Sequence, residues 1–231
     1  MIIAIDGPAG AGKSTIAKKV AWKLGFLYID TGAMYRALAL KAIKENVDIA
    51  STHKIISMTA RATINLINDP DGTLQVMLDG KDVGSQIRQP AITKVVSDIA
   101  KIKEVRQVMV GLQRELGKRG NSVLDGRDIG TVVFPNAEKK FYLDADFAER
   151  SRRRYKELIE AGQQVTLESV QADVKNRDNI DSTREVGPLK QAEDAIYIDS
   201  TNMSIEEVVE TVLRHIKSPS HNVTKSQEKT L

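Results

Sequence analysis

The sequence predicts an α/β fold, a mostly parallel five-stranded sheet with helices on both faces, on three observations. Five short apolar runs, at residues 2–6, 26–30, 122–125, 140–144 and 195–199, have strand length and strand composition. Segments with apolar residues at helical spacing separate them, the alternation expected of parallel strands joined by helical crossovers. The first run leads through a glycine-rich turn directly into the first helical pattern, and the turn matches G-x-x-x-x-G-K-[ST] in full.

After that turn Ile16, Val20 and Leu24 recur every four residues, and Gly25 supplies the helix stop. Residues 26–30 make the second strand, ended by Thr31-Gly32, and a helix follows from about Ala33 to Lys44 with Tyr35, Leu38 and Ala42 near one face. A polar stretch from Asp48 leads to a helical segment at 53–60. His53, one of three histidines, has no companion at ligand spacing and is read as a surface residue. The period then changes. Residues 63–67 and 73–78 read as strands around the turn Asp69-Pro70-Asp71-Gly72, and Asp79-Gly80 lets residues 81–83 pair back. This is a small antiparallel meander inserted into a parallel chain, expected to move as a subdomain.

From Pro90 to Leu116 the pattern is helical in two pieces, with Val105, Val108, Leu112 and Leu116 on one side and Gly117 and Gly120 closing it. Gly126-Arg127-Asp128-Ile129-Gly130 follows the third strand. Densely charged helices lie between the fourth and fifth strands, the first opened by a capping-box-like Asp146 and Glu149. Ser204 and Glu207 open the last helix in the same way, with Val208, Val212 and Ile216 as its stripe. Residues 218–231 are polar and patternless and are read as a disordered tail. Within it Asn222-Val223-Thr224 matches a glycosylation acceptor by chance, since no export signal is recognised.

A chain of 231 residues holds one large α/β domain with a core of its own. It has no cysteine, which excludes cysteine zinc sites, thiol catalysis and disulfide frameworks. No apolar run approaches the ~20 residues of a membrane span, so a cytoplasmic protein with no membrane partner is expected. The 34 basic and 31 acidic residues nearly balance, and aromatics are only 4%. Neither points to nucleic acid.

The glycine-rich turn carries specific chemistry. Residues Gly7, Pro8, Ala9, Gly10, Ala11, Gly12, Lys13, Ser14 and Thr15 are expected to wrap the phosphates of a nucleoside triphosphate. Backbone N–H groups form an anion nest at a helix N-terminus, Lys13 reaches the β- and γ-phosphates, and the Ser14 hydroxyl ligates Mg²⁺. In an open parallel sheet ligands gather beyond the carboxyl ends of the strands. The turn at Gly7, the Asp30-Thr31 corner and residues 125–128 are therefore expected to face one crevice. No N-K-x-D guanine signature is present, and Val123-Leu124-Asp125 is a poor match to the apolar run and acid of motor ATPases. What remains is a P-loop core joined to an acceptor-binding insert and an arginine-rich lid.

Four segments, Asp6 to Ser14, Asp30-Thr31-Gly32-Ala33-Met34-Tyr35-Arg36, Asp125-Gly126-Arg127-Asp128-Ile129-Gly130-Thr131-Val132-Val133-Phe134-Pro135, and Arg177-Asp178 with Asp181 and Arg184, resemble bacterial cytidylate kinase. The resemblance covers about residues 1–216. It implies a P-loop NTPase-type sheet with an NMP-binding subdomain and a helical lid, acting as a monomer that transfers the γ-phosphoryl group of ATP to CMP or dCMP. It divides one domain at 1–217 into a core (about 1–50, 100–145 and 190–217), an NMP-binding insert (about 60–95) and a lid (about 146–188).

The same resemblance implies the acceptor site. Thr31 and Asp128 accept from the 4-amino group of cytosine, while Arg106 and Arg184 donate to N3 and O2, a pattern that uracil cannot satisfy. Ser97, Arg177 and Asp181 meet the pentose, Arg36 and Arg127 grip the CMP phosphate, and Tyr35 joins the pocket. The family often has serine where Thr31 stands, and it is richer in arginine and aspartate than residues 179–183 here. In the run Arg150, Arg152, Arg153, Arg154, the resemblance implies that Arg150 and Arg154 act on the transferring phosphoryl group. The alternative is a solvated face paired with Glu149 and Glu157, to which Arg152 is assigned. Rival readings of the whole chain are a P-loop kinase of UMP, AMP or a small metabolite, and a module that binds ATP without transferring phosphate.

Overall fold

The computed structural model describes residues 1–217. The tail expectation for 218–231 therefore lies outside the described residues. In chain order the elements are β1 (Ile2–Asp6), α1 (Lys13–Leu24), β2 (Leu27–Asp30), α2 (Thr31–Lys44), α3 (Thr52–Arg61), β3 (Ile64–Asn68), β4 (Leu74–Leu78), β5 (Lys81–Asp82), α4 (Pro90–Ala100), α5 (Lys103–Gly117), β6 (Ser122–Gly126), β7 (Lys139–Asp144), α6 (Phe147–Glu160), α7 (Leu167–Thr183), β8 (Ile196–Asp199) and α8 (Ile205–Lys217). One 3₁₀ turn at Gln86–Arg88 and one wide turn at Ile129–Val133 complete them.

The main sheet is parallel throughout, in the order β2-β6-β1-β7-β8. Alternation along β1 sends Ala4 to one face and Ile3 and Ile5 to the other. On the Ile3 side, Ile16, Val20 and Ala21 of α1 and Val208, Val209 and Val212 of α8 cover Val123, Phe141 and Leu143. On the Ala4 side, α2, α4 and α5 pack Met34, Leu38, Ile92, Ile99 and Met109 over Ile29 and Leu124.

β3, β4 and β5 form the antiparallel meander. It has no separate core, because Leu66, Val76 and Leu78 join the same apolar cluster as Met34 and Leu38. Its β3 is also tied to the free edge of the main sheet. Tyr28 N–H donates to Asn68 Oδ1 at 3.0 Å, and Asn68 Nδ2 donates back to Tyr28 O at 3.1 Å.

Three local expectations change. Helix α2 starts at Thr31 rather than Ala33, because Asp30 is its N-cap and accepts from Ala33 N–H at 2.7 Å. On α5 the buried stripe is Val105, Met109, Gln113 and Leu116, with Val108 39% exposed, since the helix is rotated to turn Arg106 inward. Asp146 caps α6 through Ala148 N–H, but Glu149 turns to Arg152 and Arg153 instead of completing a capping box. At α8 the reciprocal box does form, between Ser204 and Glu207.

Candidate active site

The glycine-rich turn joins β1 to α1 at the carboxyl edge of the sheet. Gly12 precedes the helix at φ 86°, a left-handed conformation that suits glycine. A side chain at Gly10 would come within 2.6 Å of Arg150 O, so the loop can lie flat against the start of α6. Lys13 is buried and its Nζ donates to Pro8 O at 2.6 Å. Burial and the nearby Arg127 guanidinium pull its ammonium well below the ordinary lysine range. The site thus concentrates positive charge that an anion would relieve.

Beside the loop sits Asp125, a carboxylate expected in the crevice but given no role there from the sequence. Asp125, at the end of β6 and aligned with Asp30 and Ile5, accepts from Ser14 Oγ at 2.7 Å and from Tyr28 OH at 2.9 Å. Burial, followed by the nearby charge of Asp30, pushes its carboxyl up to about 7. The weak apolar run before it hid its role; the signal that could have found it is an acid at the carboxyl end of the strand beside the phosphate loop. Ser14 and Asp125 form an oxygen-only donor set suited to Mg²⁺, which takes few protein ligands and completes its shell with phosphates and water. Among the described residues no group of three or more histidine, cysteine or acidic side chains competes as a metal centre.

Across a cleft of about 620 Å³, Arg36 from α2, Arg127 after β6, Arg154 from α6 and Arg177 from α7 face the loop. Arg127 pairs with Asp181 at 2.8 Å and Arg154 with Glu157 at 2.8 Å. Arg36 and Arg177 have no carboxylate within ion-pair distance among the described residues, and Arg177 Nε is buried without a partner. Desolvation, with repulsion from Arg36, Arg127 and Arg154, lowers Arg177 to about 9. Such mutual repulsion is tolerated in a folded chain where an anion answers it.

Deeper along the same cleft lie Thr31, Tyr35, Ser97, Arg106, Asp128, Asp181 and Arg184. Asp128 is ion-paired to Arg106 and, at 3.4 Å, to Arg184. Arg106 is only 2% exposed and its guanidinium lies 5.7 Å from the Tyr35 ring centre, whose hydroxyl is buried without a partner. Thr31 Oγ1 donates to Asp125 O at 2.6 Å, leaving its oxygen able to accept. Arg106 thus points into the cleft from α5 rather than to solvent.

The expected residues do not all converge. Ala9, Gly10, Gly12, Lys13, Ser14 and Thr15 line the cleft, while Gly7, Pro8 and Ala11 shape the loop behind it. Of the two lid arginines only Arg154 lines it. Arg150 is buried beneath the loop, donating to Ala9 O at 2.8 Å, Ala145 O at 3.0 Å and Asp178 Oδ2 at 2.5 Å, while Asp178 Oδ1 accepts from Ala9 N–H. Arg153 goes elsewhere, to Glu149 and Ser200. Arg150, Arg153 and Arg154 thus go to three different destinations. No helix among the described residues is long and apolar enough to cross a membrane.

A phosphate loop on a five-stranded parallel sheet, opposed across one cleft by guanidinium groups and by a pocket with its own acceptors and donors, defines a P-loop kinase of a small acceptor. The family model described as cytidylate kinase matches residues 3–218. Cytidylate kinase of Caldanaerobacter subterraneus subsp. tengcongensis is 50% identical over 215 residues, covering 93% of this chain and 94% of the relative. That of Bacillus subtilis (strain 168) is 48% identical over 218 residues, 94% and 97% of the two chains. In fold alone, the crystal structure of an uncharacterized protein from Eubacterium ventriosum matches with a TM-score of 0.51 at 12% identity, covering 95% of this chain and 99% of that one. The chain belongs to the cytidylate kinase family.

Proposed function

We propose that the chain transfers the γ-phosphoryl group of ATP to CMP or dCMP, with ATP along the glycine-rich loop and the monophosphate in the arginine-lined arm of the cleft. The observation that carries this reading is the placement of Arg36, Arg127, Arg154 and Arg177 opposite Lys13, two of them without a carboxylate partner. Phosphoryl transfer asks little covalent chemistry of a protein. It asks for in-line positioning and for positive charge where negative charge develops.

Lys13 and the loop N–H groups hold the β- and γ-phosphates, Arg36 and Arg127 hold the acceptor phosphate, and Arg154 and Arg177 answer charge at the transferring group. Ser14, backed by Asp125, would hold Mg²⁺, which would supply positive charge to the phosphates of ATP. Arg150 acts from beneath, fixing the loop through Ala9 and Asp178 rather than touching phosphate. Thr31 and Asp128 accept from the cytosine amino group, and Arg106 and Arg184 donate to N3 and O2. Uracil reverses part of this edge and leaves buried groups unpaired, which is the strong form of discrimination. Ser97 and Asp181 complete the contacts to the pentose. The segments 60–95 and 146–188 serve as acceptor-side insert and lid on the core.

ADP release on a panel of nucleoside monophosphates, with ATP and Mg²⁺, tests the reading. ADP formation dependent on CMP and dCMP, with UMP and AMP poor acceptors, is expected. Equal or better turnover of UMP or AMP would overturn the assignment of the base pocket, and ATP binding with no acceptor-dependent ADP would overturn transfer itself.

A further inference from the structure

We infer that Asp6 is a positioning residue that sets how selectively the pocket reads the base, by holding in place the turn that begins at Asp128. This rests on the proposed reading of the cytosine amino group by Asp128 and goes one step behind it. Asp6 is the last residue of β1, immediately before the phosphate loop, and it is buried at the centre of the sheet. Its Oδ1 accepts from Ile129 N–H at 2.8 Å and its Oδ2 from Gly130 N–H at 2.7 Å, the two residues that follow Asp128.

Those N–H groups open a wide helical turn closed by Val133 N–H to Asp128 O at 3.1 Å and Phe134 N–H to Ile129 O at 2.7 Å. The far end of the turn is held by the opposite charge. Arg114 on α5 donates from Nε to Val133 O and from Nη2 to Val132 O, each at 2.8 Å. A carboxylate at the first N–H groups and a guanidinium at the last carbonyls is the polarity that a helical turn favours. Space enforces it as well: a side chain added at Gly130 would meet Lys140 at 3.1 Å and Asp6 Oδ2 at 3.4 Å.

Wide turns are uncommon and are found preferentially at functional sites. Here the consequence is specific. Asp128 has its carboxylate fixed on one side by Arg106 and Arg184 and its backbone fixed on the other by the turn. Asp6 carries that backbone restraint and is covalently continuous with Gly7, so the same residue joins the loop that holds one substrate to the turn that reads the other. An asparagine at position 6 offers only one acceptor oxygen, and its amide group would oppose one of the two N–H donors. The displaced Asp128 then loses the amino group of CMP, whereas UMP has no such donor to lose.

The test compares kcat/KM for CMP and UMP in Asp6→Asn, Arg114→Gln and Asp128→Ala, with KM for ATP as the internal control. Asp6→Asn should reduce the CMP-over-UMP ratio by about tenfold or more, chiefly through KM for CMP, as expected when a buried polar contact is misplaced. KM for ATP should change less than about threefold, because both carboxylate oxygens of Asp6 are spent on the turn and neither on the loop. Arg114→Gln, which loosens the same turn from a helix remote from the phosphate loop, should shift the ratio in the same direction, and it decides the matter if Asp6→Asn does not fold. A ratio lost in Asp128→Ala but intact in both turn variants overturns the inference while leaving the base reading standing. A rise in KM for ATP with the ratio intact also overturns it, placing Asp6 with the loop alone. A ratio intact in Asp128→Ala overturns the base reading and this inference with it.

Discussion

Replacing Asp125 with asparagine should make the protein more stable and the enzyme much slower. Burial and then the charge of Asp30 push the Asp125 carboxyl up to about 7, against the hydrogen bonds it accepts from Ser14 and Tyr28, which favour the charged form. An ordinary aspartate titrates near 4, so keeping this one ionised costs the folded state at most about 4 kcal/mol above pH 7. Asparagine removes the charge at equal size, but loses one acceptor oxygen and a favourable neighbour for Lys13, together about 1–2 kcal/mol. The balance is a gain of about 2 kcal/mol at pH 8, or a rise in Tm of about 4–8 °C for a chain of this size.

The pH dependence carries the sign. The folded state holds the Asp125 proton more tightly than the unfolded chain does, so the stability linked to that proton is complete below about pH 4 and lost as pH rises through about 7. The advantage of the variant should therefore shrink between pH 8 and pH 5.5. Thermal unfolding of the nucleotide-free, metal-free protein at the two pH values measures it, and a steady-state assay with Mg²⁺ should show kcat reduced by about a hundredfold. A variant no more stable than the parent at pH 8, or a gap that does not narrow by pH 5.5, would show that this carboxylate is not held at a cost.

Arg177→Met should relieve the repulsion from Arg36, Arg127 and Arg154 and stabilise the nucleotide-free protein, with water screening limiting the gain to about 1 kcal/mol; kcat should fall at least tenfold, more than KM for CMP rises, as read from initial rates over a CMP series. Arg150→Ala removes the clamp on Ala9 and Asp178 and should weaken ATP binding more than CMP binding, seen by calorimetric titration of each nucleotide separately. Lys13→Ala should abolish transfer with circular dichroism unchanged; near-normal turnover would contradict the role given to the loop.

Much of the architecture was legible because it rests on local patterns. The apolar runs, the four-residue spacing on α1 and the Asp79-Gly80 hairpin each report one element within a short window, and each formed where expected. The loop at residues 7–14 was legible for the same reason, since glycine, lysine and serine at fixed offsets place their groups by backbone geometry alone. Arg106, Ser97 and Arg177 were different. On their own helices they were indistinguishable from exposed polar residues, and only the resemblance picked them out.

What the sequence by itself determined is the alternation of elements and the phosphate loop, both written into residues adjacent in the chain. The tertiary structure decided which charges meet. It put Asp125 under Ser14 across 111 positions and Asp6 under the Asp128 turn across 123. It also took Arg150 away from the cleft and left Arg154 within it. Parallel register and burial set those pairings: a strand's last residue meets whatever the neighbouring strand ends on, and a charge removed from water takes the nearest partner that the fold supplies.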